Sequence, residues 1–527
     1  NGMSDRKGEY TKGDGSSQTV SVQAGLNFNK TFGEHLLFAN VTWNMSTART
    51  ISTTTVAEGF GNDYMDDISF ATKYQKDGSP SGSNSRSREI GVIGAINYSF
   101  ADRYLFDASL RKSASSVYGS DSHWGTFWSL GAGWNVHHEK FLEGNAWIKQ
   151  FKLRASMGYT GTQNVDPSQS RARYEYYDYV YGDKIGAQLV ALPNDKLKWQ
   201  RNMDYNLGVD VTLKRFLTLR ADYYIQRTDD LLSNISLPPS TGFLTYTENL
   251  GKIENRGYEL AVSVTPWRDD ERQAYVTLSA TALHNKNKIK KIYDIFKNSN
   301  DEQNSSLDGS YDYNDGQPGD TEVLEKYLNK FTKPATLYYE GCSMTAIWGV
   351  RSLGIDPATG DEIFLDMNGN KVNKWDSKNY KPWGSSDPKI YGTVGTMFMY
   401  KGWELNAHLY YKYGGYIYNQ TLVDKVENVN PNENGDRRIL YDRWNEPGDV
   451  AKFKKVSDVS VTNPTSRFVE KENYIQLQAL SVSYDFRSAK LKEWGIQRLK
   501  ISAIGNDIFT SSTVRMERGT SYPFART

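Results

Sequence analysis

Five tyrosines, Tyr174, Tyr176, Tyr177, Tyr179 and Tyr181, crowd into one polar connection of the chain. A tyrosine ring has an apolar face and a hydroxyl at its edge, so such a group can stack on sugar rings, or it can pack on neighbouring loops or a covering partner. His137, His138 and Glu139 carry metal-ligating atoms, but adjacent residues of an extended segment point apart and no further ligand is suitably spaced, so they read as a turn. Asp366, Asn368 and Asn370 imitate the start of a calcium loop. Its sixth position would be Lys371 instead of glycine and its twelfth Ser377 instead of glutamate, which leaves a polar turn. There is no G-x-S-x-G elbow and no phosphate-cradling glycine loop, and the carboxylates are scattered over polar loops and strand faces. The expectation is therefore no enzyme, no metal site and no cofactor.

These residues hang on a repeated two-strand unit. Between Glu89 and Arg111, Ile90, Val92, Ile96, Tyr98 and Phe100 point one way, and Glu89, Gly91, Ala95, Asn97 and Ser99 the other. After a turn at 101–103 the apolar face resumes with Tyr104, Phe106, Ala108 and Leu110, opposite Asp107, Ser109 and Arg111. This is a β-hairpin apolar on one side, with arms of about ten residues, the length of a membrane-crossing strand. The unit recurs with Val20, Val22, Ala24, Leu26 and Phe28 against Leu37, Ala39, Val41, Trp43 and Met45. A strand at 127–136 puts Trp128, Leu130, Ala132 and Trp134 on its apolar side. Phe151, Leu153, Ala155, Met157 and Tyr159 follow, opposed by Lys152, Arg154, Ser156 and Gly158. Tyr205 to Leu213 and Leu217 to Ile225 alternate in the same way, opposed by Asn206, Gly208 and Asp210 and by Thr218, Arg220 and Asp222. Further pairs fall at 254–265 with 273–283 across a turn at 266–272, at 389–400 with 403–413, and at 474–486 with 497–506. A parity slip near Ala479 predicts a β-bulge. The count is about fourteen strands in about seven hairpins.

With 63 basic against 62 acidic residues in 527, no bulk field steers a polyanion, so no nucleic-acid partner is expected. No apolar run reaches about 18 residues, which argues against membrane-crossing helices but not against a membrane barrel, whose strands are only half apolar. The 36 Tyr and 13 Trp suit two membrane interfaces. Cys342, the single cysteine, excludes an internal disulfide framework and a multi-cysteine metal site. The chain starts without the basic and apolar regions of a signal peptide, so export is argued from the rest. Tight turns alternate with long polar connections, the asymmetry of an outer-membrane barrel with short periplasmic turns and long extracellular loops. The fold class expected is all-β, an antiparallel transmembrane β-barrel whose apolar set faces lipid. Its Ser, Thr, Asn, Asp, Arg and Gly set then faces a lumen too wide for strand side chains to fill.

Several segments are similar to those of the SusC/RagA-like TonB-dependent transporters: RYLFDASLRKSASSVYGSDSHWGTFWSLGAGW from Arg103, FKLRASMGYTG from Phe151, NDKLKWQRNMDYNLGVDV from Asn194, YYIQRTDDLL from Tyr223, ENLGKIENRGYEL from Glu248, GIDPATGDEIFLDMNGN from Gly354 and GTSYPFART from Gly519. They span nearly the whole chain in the family's order. The resemblance implies an outer-membrane importer that takes up oligosaccharides, in a TonB-dependent way, together with a SusD-like surface lipoprotein as lid. A RagA-type importer of peptides and a passive barrel that displays its loops are the alternatives. Plugged transporters have about 22 strands. Residues 1–527 are therefore expected as part of one transmembrane β-barrel domain. The plug, the TonB-interacting segment and the last strand are expected outside this chain, and the edges near 18–29 and 497–506 are expected to lack partners within it. The connections 285–388 and 414–473 are the expected lid contacts.

Overall fold

A computed structural model describes residues 8–61, 64, 67–74, 80–162, 171–181, 184–236, 242–243, 245–249, 251–292, 332–334, 337–428, 437–458, 460–486, 491 and 493–514. Fourteen long strands carry the fold: β1 (Glu9–Phe32), β2 (His35–Glu58), β3 (Ser81–Phe100), β4 (Tyr104–Ser115), β5 (Trp124–Asn135), β6 (Ile148–Thr162), β7 (Gln200–Leu213), β8 (Leu217–Asp229), β9 (Gly251–Asp269), β10 (Ala274–Ile292), β11 (Ile390–Tyr400), β12 (Trp403–Tyr418), β13 (Val469–Phe486) and β14 (Leu499–Ser512). They follow one another in the sheet in chain order. The contacts group the chain into two units, Asn1–Gly133 with Ser156–Asp204 and Thr228–Leu250, and Trp134–Ala155 with Tyr205–Arg227 and Gly251–Thr527.

In the first unit, β1 and β2 are joined at Gly33 and Glu34, where Gly33 takes φ 61°, a conformation that costs a glycine nothing. Their ladder runs unbroken from Phe32↔His35 to Glu9↔Glu58. The Ser- and Thr-rich stretch after Met45 is thus strand through Glu58 and again from Ser81. The hydrophobic alternation stops near Met45, but backbone pairing continues through the Thr- and Ser-rich stretch because β-branched and hydroxyl residues suit a solvated ladder. The apolar face is bare: Leu26 is 80% and Leu110 58% exposed. A sheet that leaves so much apolar surface uncovered would be strongly penalised in water, at about 25 cal/mol per Å². Lipid removes that penalty. β1 and β14 are exposed along almost their whole lengths, unlike the strands beside them.

In the second unit, β9 runs past the turn expected at 266–272, and the chain reverses only at 270–273. Pro266 has no N–H to give to a ladder, and the register shift between Val264 and Trp267 takes it out of the pairing. The bulge expected near Ala479 is present, with Gln478 skipped in the register against both β12 and β14. Above the strands, Ala346–Ile355 pairs with Glu362–Leu365 and Tyr380–Ser385 in a small sheet over a core of Leu337, Trp348, Val350, Phe364 and Tyr380. A second core there joins Tyr418, Val423, Val426, Phe453 and Phe468.

Candidate binding site on the polar strand face

Within the first unit, the polar faces of β3, β4 and β5 carry glycines, serines and charged side chains, and Ser109 and Ser129 bond hydroxyl to hydroxyl at 2.6 Å across β4 and β5. One large ring interrupts them. Phe127 sits between Gly125 and Gly161, where an added Cβ would fall 2.5 and 2.3 Å from its ring. Trp199, just before β7, meets Phe127 edge-on at 5.3 Å and stacks on Tyr118 at 4.2 Å. Its indole N–H donates to the His123 carbonyl at 3.2 Å, which fixes the ring in place. Tyr118 is buried, and desolvation with the nearby Glu89 carboxylate raises its phenol well above the usual range, so it stays protonated.

Below these rings Arg111 is paired with Glu89 and donates to the Ser113 hydroxyl at 2.7 Å. The result is a cavity of about 500 Å³, walled by Phe127, Trp199 and Tyr159 on one side and by Glu89, Arg111 and serine hydroxyls on the other. Aromatic faces beside hydroxyls and a self-neutralised ion pair suit a neutral, hydroxyl-rich ligand. Tyr159 departs from the alternation, which assigns it to the apolar side with Met157; it packs against the Phe127 and Trp199 cluster instead. Beyond the apolar band neither face is committed to lipid, so parity no longer decides where a ring goes.

In the second unit, Arg154 donates to both oxygens of Asp210, at 2.8 and 3.0 Å, and to Asp222 at 3.1 Å, while Arg220 also reaches Asp222 at 3.1 Å. Gly208 leaves room for this mesh, since a Cβ there would lie 2.6 Å from the Arg154 guanidinium. All four charged side chains lie on the face the alternation assigns as polar.

The other residues singled out in the sequence lie elsewhere. Tyr174 is exposed on the strand Arg173–Tyr181, which pairs with Lys184–Ala191, and it does not line the cavity. The side chains of Tyr176, Tyr177, Tyr179 and Tyr181 lie outside the described residues. His137 and His138 form a short helical turn, their rings 4.2 Å apart, with His137 Nδ1 3.1 Å from the Phe151 carbonyl. The Asp366 carboxylate accepts from the backbone N–H groups of Asn368 and Asn370 and from the Asn370 amide, at 2.8 to 2.9 Å. It is the keystone of a turn. Phe127, Tyr118 and Trp199 were missed by pattern reading, although a lone large ring among Gly125, Ser129, Gly131 and Gly133 on one strand face is a usable signal.

Comparison with known proteins agrees with this architecture. Residues 2–341 match the family described as TonB dependent receptor-like, beta-barrel. TonB-dependent receptor P39 of Formosa agariphila is 28% identical over 482 residues, 85% of this chain and 45% of that protein. TonB-dependent receptor SusC of Bacteroides thetaiotaomicron is 34% identical over 189 residues, 34% of this chain and 19% of that protein. The structure of the RagAB peptide transporter superposes with a TM-score of 0.79 at 18% identity, over 96% of this chain and 53% of that one. The chain spans less than half the length of the curated relatives it matches.

Proposed function

The chain belongs to the TonB-dependent receptor β-barrel family of the outer membrane, and on that premise we propose that it serves TonB-dependent import of oligosaccharides together with a SusD-like surface lipoprotein. The observation that supports this reading is the cavity on the polar strand face, where the rings of Phe127, Trp199 and Tyr159 stand opposite hydroxyls and a neutralised ion pair. A sugar presents C–H faces for stacking and hydroxyls for bonding, so it uses both walls. The role is transport, with no catalytic step. Tyr174, Tyr176, Tyr177, Tyr179 and Tyr181 are proposed as further stacking residues, and the connections 285–388 and 414–473 as the lid contacts.

The test is calorimetric titration of the purified receptor with neutral oligosaccharides and with peptides of similar size. Sugars should bind, and Trp199→Ala should weaken them roughly tenfold by removing one stacking face. Binding of peptides alone would overturn the sugar assignment, and an unchanged affinity in Trp199→Ala would overturn the site.

A further inference from the structure

On the apolar side of β8, β9 and β10 the alternation ends in rings and then in charge. Tyr223, Tyr258 and His284 close the apolar band, with Tyr258 and His284 stacked at 5.0 Å. One step closer to the long loops the same face carries Ile225, Arg256 and Lys286, and beyond them Arg227, Glu254, Lys288 and Lys290. The register places Arg256 opposite Lys286 and Glu254 opposite Lys288, so these residues share a face with Tyr258 and His284. The shift between Lys252 and Ile253 leaves Lys290 as the extra residue. Gly257, on the opposite face, packs against Tyr224 instead.

Three cations here meet one carboxylate. Glu254 is 5% exposed and holds Arg227 at 3.0 Å, Arg256 at 2.6 Å and Lys290 at 2.9 Å. The three cations themselves stay about half exposed. A single buried acid thus gathers the cluster without neutralising it. Lys286 and Lys288 are exposed beside it.

We propose that this cluster is a binding site for the phosphate groups of anionic glycolipid in the outer leaflet. Its height carries the assignment. It lies directly above an aromatic girdle on a face continuous with the lipid-contacting band, where lipid head groups sit. Guanidinium forks and ammonium groups at that level match phosphate oxygens in charge and geometry. A substrate passing along the polar face would not meet it.

The test uses the whole receptor in nanodiscs containing phosphorylated outer-membrane glycolipid, or the same lipid after enzymatic dephosphorylation, with retained lipid counted by native mass spectrometry. The wild type should retain the phosphorylated lipid and lose it on dephosphorylation. Lys286→Gln/Lys288→Gln/Lys290→Gln should bind it roughly a hundredfold more weakly, the factor carried by three cations near a charged surface. The matching triple Lys→Arg variant should retain it, which separates loss of charge from loss of fold. Equal retention by the Gln variant, or of the dephosphorylated lipid, would overturn the proposal. Displacement by millimolar inorganic phosphate at constant ionic strength would indicate a site for free anions and would overturn the lipid assignment.

Discussion

Residue facing is set by parity wherever the chain crosses lipid. Tyr205 and Leu207 are exposed on one side of β7, Leu207 at 63%, while Asp210 on the other is engaged by Arg154. Val209 shares the side of Leu207. Val209→Arg should therefore cost roughly 2 to 4 kcal/mol, as expected of a cation on the lipid face near the midplane. Asp210→Asn keeps an acceptor for Arg154 and should cost only about 1 kcal/mol. Folding yields in lipid, read from heat-modifiable mobility on gels, compare the two, and equal yields would show the facing to be reversed. Gly161 sets up a different test at the same scale. Gly161→Ala would place a methyl 2.3 Å from the Phe127 ring, so the ring must swing aside and the cavity lose a wall. Sugar affinity should fall several-fold while the barrel folds normally, and an unchanged affinity would remove Phe127 from the site. Nothing local in the sequence signals that Trp199 meets Phe127, because that contact depends on where a long connection returns to the sheet.

Strands and loops differed in how much of them could be read beforehand. The turns at Gly33, at 101–103 and at 214–216, and the bulge at Gln478, follow from local pattern, since turn chemistry and period-two parity are short-range signals. The extension of β1 and β2 well beyond the apolar band, and the continuation of β9 through Pro266, do not, because polar ladders carry no alternation of hydrophobicity. Least legible was the loop region of the second unit, whose fold is organised by charge. Arg467 donates to both oxygens of Glu362, at 3.1 and 2.8 Å, and also bonds Glu427, with all three side chains buried. Arg467→Met would strand two carboxylates in a dry site and should cost about 3 to 5 kcal/mol locally. Hydrogen exchange in 346–365 and 420–427 should accelerate while β9 to β12 keep their protection. Unchanged exchange in those segments would mean that the hydrophobic cores alone hold them.

The pH response of this region has a definite sign. Hydrogen bonds from the Asn370 side chain, together with backbone N–H groups of the same turn, hold the Asp366 carboxylate below its usual range. A depressed folded-state pKa contributes stability above the unfolded value, and that stability is lost as pH falls through the folded value. The hairpin Glu362–Leu365 with Lys371–Val372 should therefore be insensitive to acid down to about pH 4 and loosen only below it. Amide exchange of Asn368 and Asn370 across that range provides the check, and loosening between pH 5 and 7 would contradict the assignment.

For the molecule as a whole, a near-zero net charge, a bare apolar face and long polar loops describe a sheet whose solvent is lipid on one side and water on the other. Import against a gradient needs energy that a sheet cannot supply by itself, and the family's coupling to TonB is the proposed source. The most direct measurement is uptake of a radiolabelled oligosaccharide by cells carrying the whole receptor, with and without TonB. Accumulation is expected only when receptor and TonB are both present, and it should fall in Trp199→Ala cells at subsaturating sugar. Equal accumulation in cells lacking TonB would contradict energy-coupled import through this barrel.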